Sequence, residues 1–221
     1  MPARRLVLDS PVHCADAQFG ELADVVIDPT TRCVTHLVVR PHKHHPEDAR
    51  MVPVTWATSD GPEAAITLSA TVAEVERLDR VRETAYLRLG DFPVDDPDWD
   101  VGVEDMLGLP YYQGIEAQPI ESDPHVMLAY DRLPKGEVEI RRGSRVTSAD
   151  DADLGYVDGL VVDAGGHISH VLLERGHLWG RREVAIPVAA IGRVENDVVV
   201  LGLAKDEVGA LPSHRVHRWG R

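Results

Sequence analysis

Short apolar runs alternate along the chain with clusters of turn-forming residues. Val25-Val26-Ile27 is followed by Asp28-Pro29-Thr30-Thr31, a turn with proline at its favoured second position, and then by Leu37-Val38-Val39. β-Branched runs on either side of a turn predict a hairpin of buried strands. Ahead of it stands Gly20, an isolated glycine of the kind that serves a tight turn or a close backbone approach. Behind it come a polar loop, a short strand carrying Pro53, and a last strand through Ile66-Thr67-Leu68. Proline has no N–H to give a ladder, so Pro53 implies an edge strand or a strand end. Thr71-x-x-Glu74 then reads as a capping box opening a short helix, with Val72, Val75 and Leu78 on one apolar stripe.

The same order of features returns in the second half. The block from Phe19 to Asp28 lies over Leu154 to Asp163, which aligns Gly20 with Gly155 and Asp28 with Asp163. Thr35-His36-Leu37-Val38-Val39 lies over Ser169-His170-Val171-Leu172-Leu173, and Val52-Pro53-Val54 over Ile186-Pro187-Val188. The terminal Glu74-Val75 and Leu78 lie over Glu207-Val208 and Leu211. The offset is 135 at the glycines, 134 at the histidines and prolines and 133 at the helix, so each step needs one residue lost in a turn. Four ordered blocks with two such gaps mark an internal duplication.

Short strands with turn signals, roughly five per unit, predict a small barrel or curled sheet that hides its edges by closure. The chain is therefore expected to be mainly β, with two small barrels, each ending in a short helix. The expected boundaries are 5–83 for the first unit, 84–137 for an irregular acidic linker, 138–211 for the second unit and 212–221 for a basic tail. The two barrels are expected to pack as a pseudo-twofold pair.

The order glycine, apolar strand, Asp-turn, Thr/Ser-His-apolar strand, loop and Val/Ile-Pro-Val, found twice, resembles the PRC-barrel family. The resemblance covers roughly residues 5–80 and 138–211. The family includes a domain of the photosynthetic reaction-centre H subunit, the C-terminal domain of the bacterial ribosome maturation factor and many stand-alone bacterial and archaeal proteins. What the resemblance implies is a small β-barrel that holds partners and carries no shared catalytic residues. The H subunit has a membrane helix without a counterpart here, and the ribosome factor has a different N-terminal domain where this chain has a second PRC-like unit.

Charge narrows the partners. The 221 residues carry a net charge of −14, which opposes general binding to nucleic acid, since that starts from phosphate neutralisation. Residues 84–137 hold twelve acids against three bases, and so nine of those fourteen charges. Clustered acids with prolines predict a solvated segment. Trp99 and the stretch Met106 to Tyr112, with Leu109, Tyr111 and Tyr112, are apolar enough to anchor a partner, as is Trp179 in the second unit's loop. The apolar run Leu6-Val7-Leu8 stops at Asp9, too short for a signal peptide, and no run reaches the roughly 20 residues of a membrane span, so a cytoplasmic protein is expected.

The chemistry-bearing residues fall into a few groups. His42, His44 and His45, beside Glu47 and Asp48, form the best metal candidate, because imidazoles and carboxylates suit zinc or nickel; a flexible His-rich loop also binds metal adventitiously. His36 and His170 recur at one place in each unit and read as hydrogen-bonding residues of the hairpin. Cys14 and Cys33 fit no metal or redox spacing, and Cys33 reads as a buried, inert thiol. The tail from His214 to Arg221 combines arginine with Trp219, a pattern that also suits RNA. No nucleophile elbow, P-loop or dinucleotide fingerprint occurs, so neither an enzyme nor a cofactor is expected. The leading expectation is an adaptor that binds a protein partner or self-associates. An RNA- or ribosome-associated factor, and a metal- or small-ligand-binding protein, are the alternatives.

Overall fold

The computed structural model describes residues 4–41, 48–58, 65–88, 98–108, 125–163, 165–175, 182–195 and 197–215. They form a mainly β architecture with two short helices. The first unit runs through β1 (Arg4–Val7), β2 (Pro11–His13), β3 (Gln18–Asp28), β4 (Cys33–Pro41), β5 (Arg50–Pro53), β6 (Ala57–Thr58), β7 (Ile66–Leu68) and α1 (Val72–Glu76). The second repeats it as β11 (Val138–Arg141), β12 (Arg145–Thr147), β13 (Asp153–Val162), β14 (Ile168–Arg175), β15 (Arg182–Pro187), β16 (Ile191–Glu195), β17 (Val198–Leu201) and α2 (Lys205–Gly209), followed by β18 (Ser213–Arg215).

The central pairings of the two units repeat. β3 and β4 form the predicted hairpin, as do β13 and β14. β2 runs parallel to β7 just as β12 runs parallel to β17. Gly20 and Gly155 serve close approach: a Cβ at Gly20 would lie 1.9 Å from the Arg40 carbonyl oxygen, and one at Gly155 2.3 Å from that of Glu174. Pro53 and Pro187 end β5 and β15 and each leads into one turn of 3₁₀ helix, at 54–56 and 188–190. The capping box is present, with Thr71 N–H donating to Glu74 Oε2 at 2.8 Å and Glu74 N–H to Thr71 Oγ1 at 3.3 Å. Val75 and Val208 point from α1 and α2 into the core with no exposed surface.

The two units exchange their opening strands. β1 pairs with β13 of the second unit, Arg4 opposite Val162 and Val7 opposite Gly159. β11 pairs with β3 of the first, Val138 opposite Ile27 and Arg141 opposite Asp24. These registers superpose under the repeat, so the exchange is reciprocal. At its centre Cys33 bridges its own counterpart His167, flanked by Val34 N–H to Gly166 O at 2.9 Å and Ile168 N–H to Arg32 O at 3.0 Å. A pseudo-twofold axis passes through this bridge. Leu6 and Leu8 from one half and Ile140 and Val146 from the other enter one continuous core that spans both units. Burying those side chains, at about 1.5–3 kcal/mol each, ties the two units together.

The connector departs from expectation. Its described residues are a three-stranded antiparallel sheet, not an irregular acidic segment: β8 (Arg82–Arg88), β10 (His125–Pro134) and β9 (Trp99–Gly108), in that spatial order. Acid clustering predicted solvation, but among the described residues acids in and beside the segment have partners. Lys135 Nζ lies 2.8 Å from Asp100 Oδ1, Arg132 Nη1 3.4 Å from Glu83 Oε1, and the Tyr130 hydroxyl donates to Glu83 Oε2 at 3.1 Å. Ala129, Tyr130 and Leu133 are buried, so this sheet has an apolar side to dock.

Candidate functional site

Two places in the described structure combine shape with chemistry: the seam between the units and the outer faces of their sheets. The seam begins at the hairpin turn after β3. Asp28 Oδ1 accepts from Thr30 N–H at 2.8 Å and Thr31 N–H at 3.2 Å, and Oδ2 accepts from the Thr31 hydroxyl at 2.7 Å. These bonds, the Thr31 hydroxyl foremost, hold its carboxyl below the usual range. Asp163 does the same in the second unit, accepting from Gly165 and His167 N–H at 2.8 and 3.0 Å. The tight turn puts Arg32 at φ 57°, in the left-handed region, where its counterpart Gly166 sits at φ 83°. A side chain there costs about 1–2 kcal/mol that glycine avoids. Arg32 reaches across the seam, Nη1 donating to the Val188 carbonyl at 3.2 Å.

Beneath it lies a cavity of about 250 Å³, walled by Ile27, Ile140, Leu160, Val171, Val188 and Val199 among others, with Arg32 and Arg193 at its exposed rim. Both units contribute, and Ile140 reaches the wall through strand exchange.

The recurring histidines flank the seam. His36 Nδ1 lies 3.1 Å from Thr35 Oγ1 and 3.7 Å from Glu137 Oε2, and the Thr35 hydroxyl donates to the same Glu137 oxygen at 2.5 Å. His170 Nδ1 lies 3.1 Å from Ser169 Oγ, whose hydroxyl donates to Val161 O at 3.1 Å. Each ring is thus held by the hydroxyl beside it, and the two do not meet. Cys33, read as buried, is only half-buried; Cys14 is the buried thiol, pushed up to about 11 by burial and by Asp16. Both are free.

The outer faces differ. In the first unit Ala23, Val26, Val38 and Ala49 form a second small core closed by Val81 and Leu133, so the connector sheet roofs this face. Glu139 lies fully buried there, and a Cβ at Gly102 would come within 2.8 Å of Leu133 and 3.0 Å of Glu139 Oε2. Asp24, at the edge of the roof, has its carboxyl pushed up to about 7 by burial and by Asp131, against the opposing pull of Arg141 and Arg40. In the second unit the positions of Ala23 and Ala49 hold Asp158 and Glu183, those of Val26 and Val38 keep Val161 and Leu172, and Arg5 of the exchanged strand donates to both Glu183 oxygens, at 2.7 and 2.6 Å.

Trp99 is half-buried within the connector sheet, stacked on Tyr130 with ring centroids 5.8 Å apart and under the Arg132 guanidinium at 4.9 Å. Leu109, Tyr111, Tyr112, Trp179, His42, His44 and His45 lie outside the described residues, so the arrangement around them is not part of this geometry. Among the described residues no three His, Cys, Asp or Glu side chains gather as metal ligands, and no helix is long and apolar enough to cross a membrane. Sequence reading missed three features of the site: the seam cavity, Asp24 and the exposed Tyr156. Tyr156 was legible, since it stands where the first unit has Glu21, an ion-pair partner of Arg40.

No curated protein matches the chain. Residues 142–208 match the family model described as the PRC-barrel domain. That match covers β12 through most of α2, the portion whose hairpin, 3₁₀ turn and helix have just been described, so this stretch of the chain is similar to a PRC-barrel domain.

Proposed function

We propose that the chain is a non-enzymatic cytoplasmic adaptor that binds a protein partner through its outer faces, built from two PRC-like modules at 5–83 and 138–211 that exchange their first strands. One observation carries the reading: a duplicated framework, kept to the residue in its strand registers, has diverged on its outside. Equal frameworks with unequal faces suit a rigid body that presents distinct surfaces. Tyr156 is a large apolar side chain 52% exposed on the second unit, and exposed aromatics are frequent interface anchors.

The test is affinity isolation of the tagged chain from its native host, with and without ribonuclease and at raised salt. The expected result is a protein retained through both treatments and lost from a Tyr156→Glu variant of unchanged melting temperature. Material that disappears with ribonuclease, with a steep salt dependence, would replace the adaptor with an RNA- or ribosome-associated factor.

A further inference from the structure

We propose that the seam cavity is a binding site for a small apolar monocarboxylate, such as a medium-chain alkanoate, with Arg32 as the carboxylate-binding residue. Three observations converge on it.

The first is size and lining. Apolar cavities of about 150 Å³ take a molecule as large as benzene, whereas drug-sized ligands fill roughly 300–1,000 Å³. At about 250 Å³, with a floor of Leu160, Val171 and Val199, this one has room for a short apolar chain and little more.

The second is asymmetry about the pseudo-twofold axis. The counterparts of Val171 and Val199 in the first unit are Leu37 and Ile66, each larger by one methylene and each buried. At the third floor position the order reverses, Leu160 standing where the first unit has Val25, so the second unit is open beneath Val171 and Val199 and filled at Leu160. The space is thus redistributed toward Val171 and Val199, where a ligand's apolar end would lie.

The third is Arg32. It holds a strained left-handed conformation where its counterpart is glycine, and a Cβ at Gly166 would meet the Val34 carbonyl oxygen at 2.9 Å. The strain puts a guanidinium at the mouth of an apolar cavity. Among the described residues that guanidinium makes one hydrogen bond, to Val188 O, so most of its five donors remain for a ligand. The nearby Asp28 is occupied by its own turn, and Arg193 is tied to Glu195 at 3.0 Å. A planar fork of donors over an apolar pocket selects a carboxylate head with an apolar tail.

The experiment is calorimetric titration of the full chain with octanoate, octanol and octylamine. Saturable one-site binding of octanoate is expected, about tenfold or more tighter than octanol, with octylamine weaker still. Two variants restore first-unit residues and keep the fold. Val171→Leu with Val199→Ile fills the floor and is expected to abolish octanoate binding while the melting temperature holds or rises. Arg32→Gly relieves the left-handed strain and is expected to raise the melting temperature, weaken octanoate about tenfold and leave octanol unchanged. Absence of saturable octanoate binding, equal binding of octanoate and octanol, or undiminished binding in the filled variant would each overturn the proposal.

Discussion

The outer face of the β3–β4 sheet and that of the β13–β14 sheet descend from one pattern and are stabilised by opposite means. The first is apolar, with Ala23, Val26, Val38 and Ala49 under a roof of Val81 and Leu133. The second has Asp158 and Glu183 at the positions of Ala23 and Ala49, with Glu183 answered by Arg5 from the exchanged strand. Arg142, in contact with Asp9 and 3.9 Å from Glu174, adds to the same charged surface. The duplicated backbone tolerates either solution because strand pairing and the shared inner core set the fold. The outer face is then free to recruit an extra sheet or to pair its charges. The energetic consequence is unequal: burying a leucine is worth a few kcal/mol, whereas a partly exposed ion pair is worth about one or less.

The largest effect should therefore come from the roof. Leu133 is 1% exposed and sits over the small outer core. Leu133→Ala removes its contacts and leaves a cavity that the paired strands β3 and β4 cannot close, so a loss of about 2–4 kcal/mol is expected in urea denaturation. A loss below about 0.5 kcal/mol would mean that the connector sheet contributes no packing to the first unit.

A middle effect is expected from Asp24, which has no equivalent on the other face. Its counterpart Gly159 leaves no room, since a Cβ there would lie 2.3 Å from the Leu6 carbonyl oxygen. Asp24 faces Asp131 from β10, Arg141 from β11, Arg40 from β4 and Asp197 from the turn before β17. Burial first, and Asp131 second, raise its carboxyl to about 7 from 3.8. The folded state then holds a proton that the unfolded chain releases. The contribution to stability is complete below the unfolded value and is lost as pH rises through the folded one. Between pH 4 and pH 8 the parent should lose on the order of 1–3 kcal/mol at this site, and Asp24→Asn should flatten that slope and be the more stable chain at pH 8. Parallel pH–stability curves for the two proteins would remove Asp24 from the account.

The duplication and the hairpins were legible because they rest on local pattern. Asp28 and Asp163 announce turns, Gly20 and Gly155 announce close approach, and Thr71 with Glu74 announces a cap; each acts on its own neighbours. Strand exchange left no such mark. Leu6 reads as an inward residue whichever β strand it pairs with, so the sequence does not say that β1 crosses to β13. The connector misled for a related reason. Its net charge predicts solvation only if its acids lack partners, and Asp100 finds one at Lys135 beyond a strand end, while Glu83 just ahead of the segment finds Arg132 across the sheet. Two positions of the seam cavity are smaller than their counterparts, Val171 against Leu37 and Val199 against Ile66, whereas Leu160 is larger than Val25. Those differences are visible in the aligned repeat, but their meaning appears only once both positions face one floor.

The smallest effect tests the charged face, and its asymmetry matters more than its size. Glu183 is buried at 8% side-chain exposure, whereas Arg5 keeps 51% of its side chain in water. Removing the carboxylate charge with Glu183→Gln leaves a guanidinium that water can solvate, so a loss of about 0.5 kcal/mol or less is expected. Removing the cation with Arg5→Ala leaves a carboxylate whose surroundings were built around that partner, so a loss of about 1 kcal/mol or more is expected. A double-mutant cycle isolates the pair itself. If Arg5→Ala proves the milder change, Glu183 is served by other groups on that face, and the exchanged strand then contributes through its backbone and Leu6 alone.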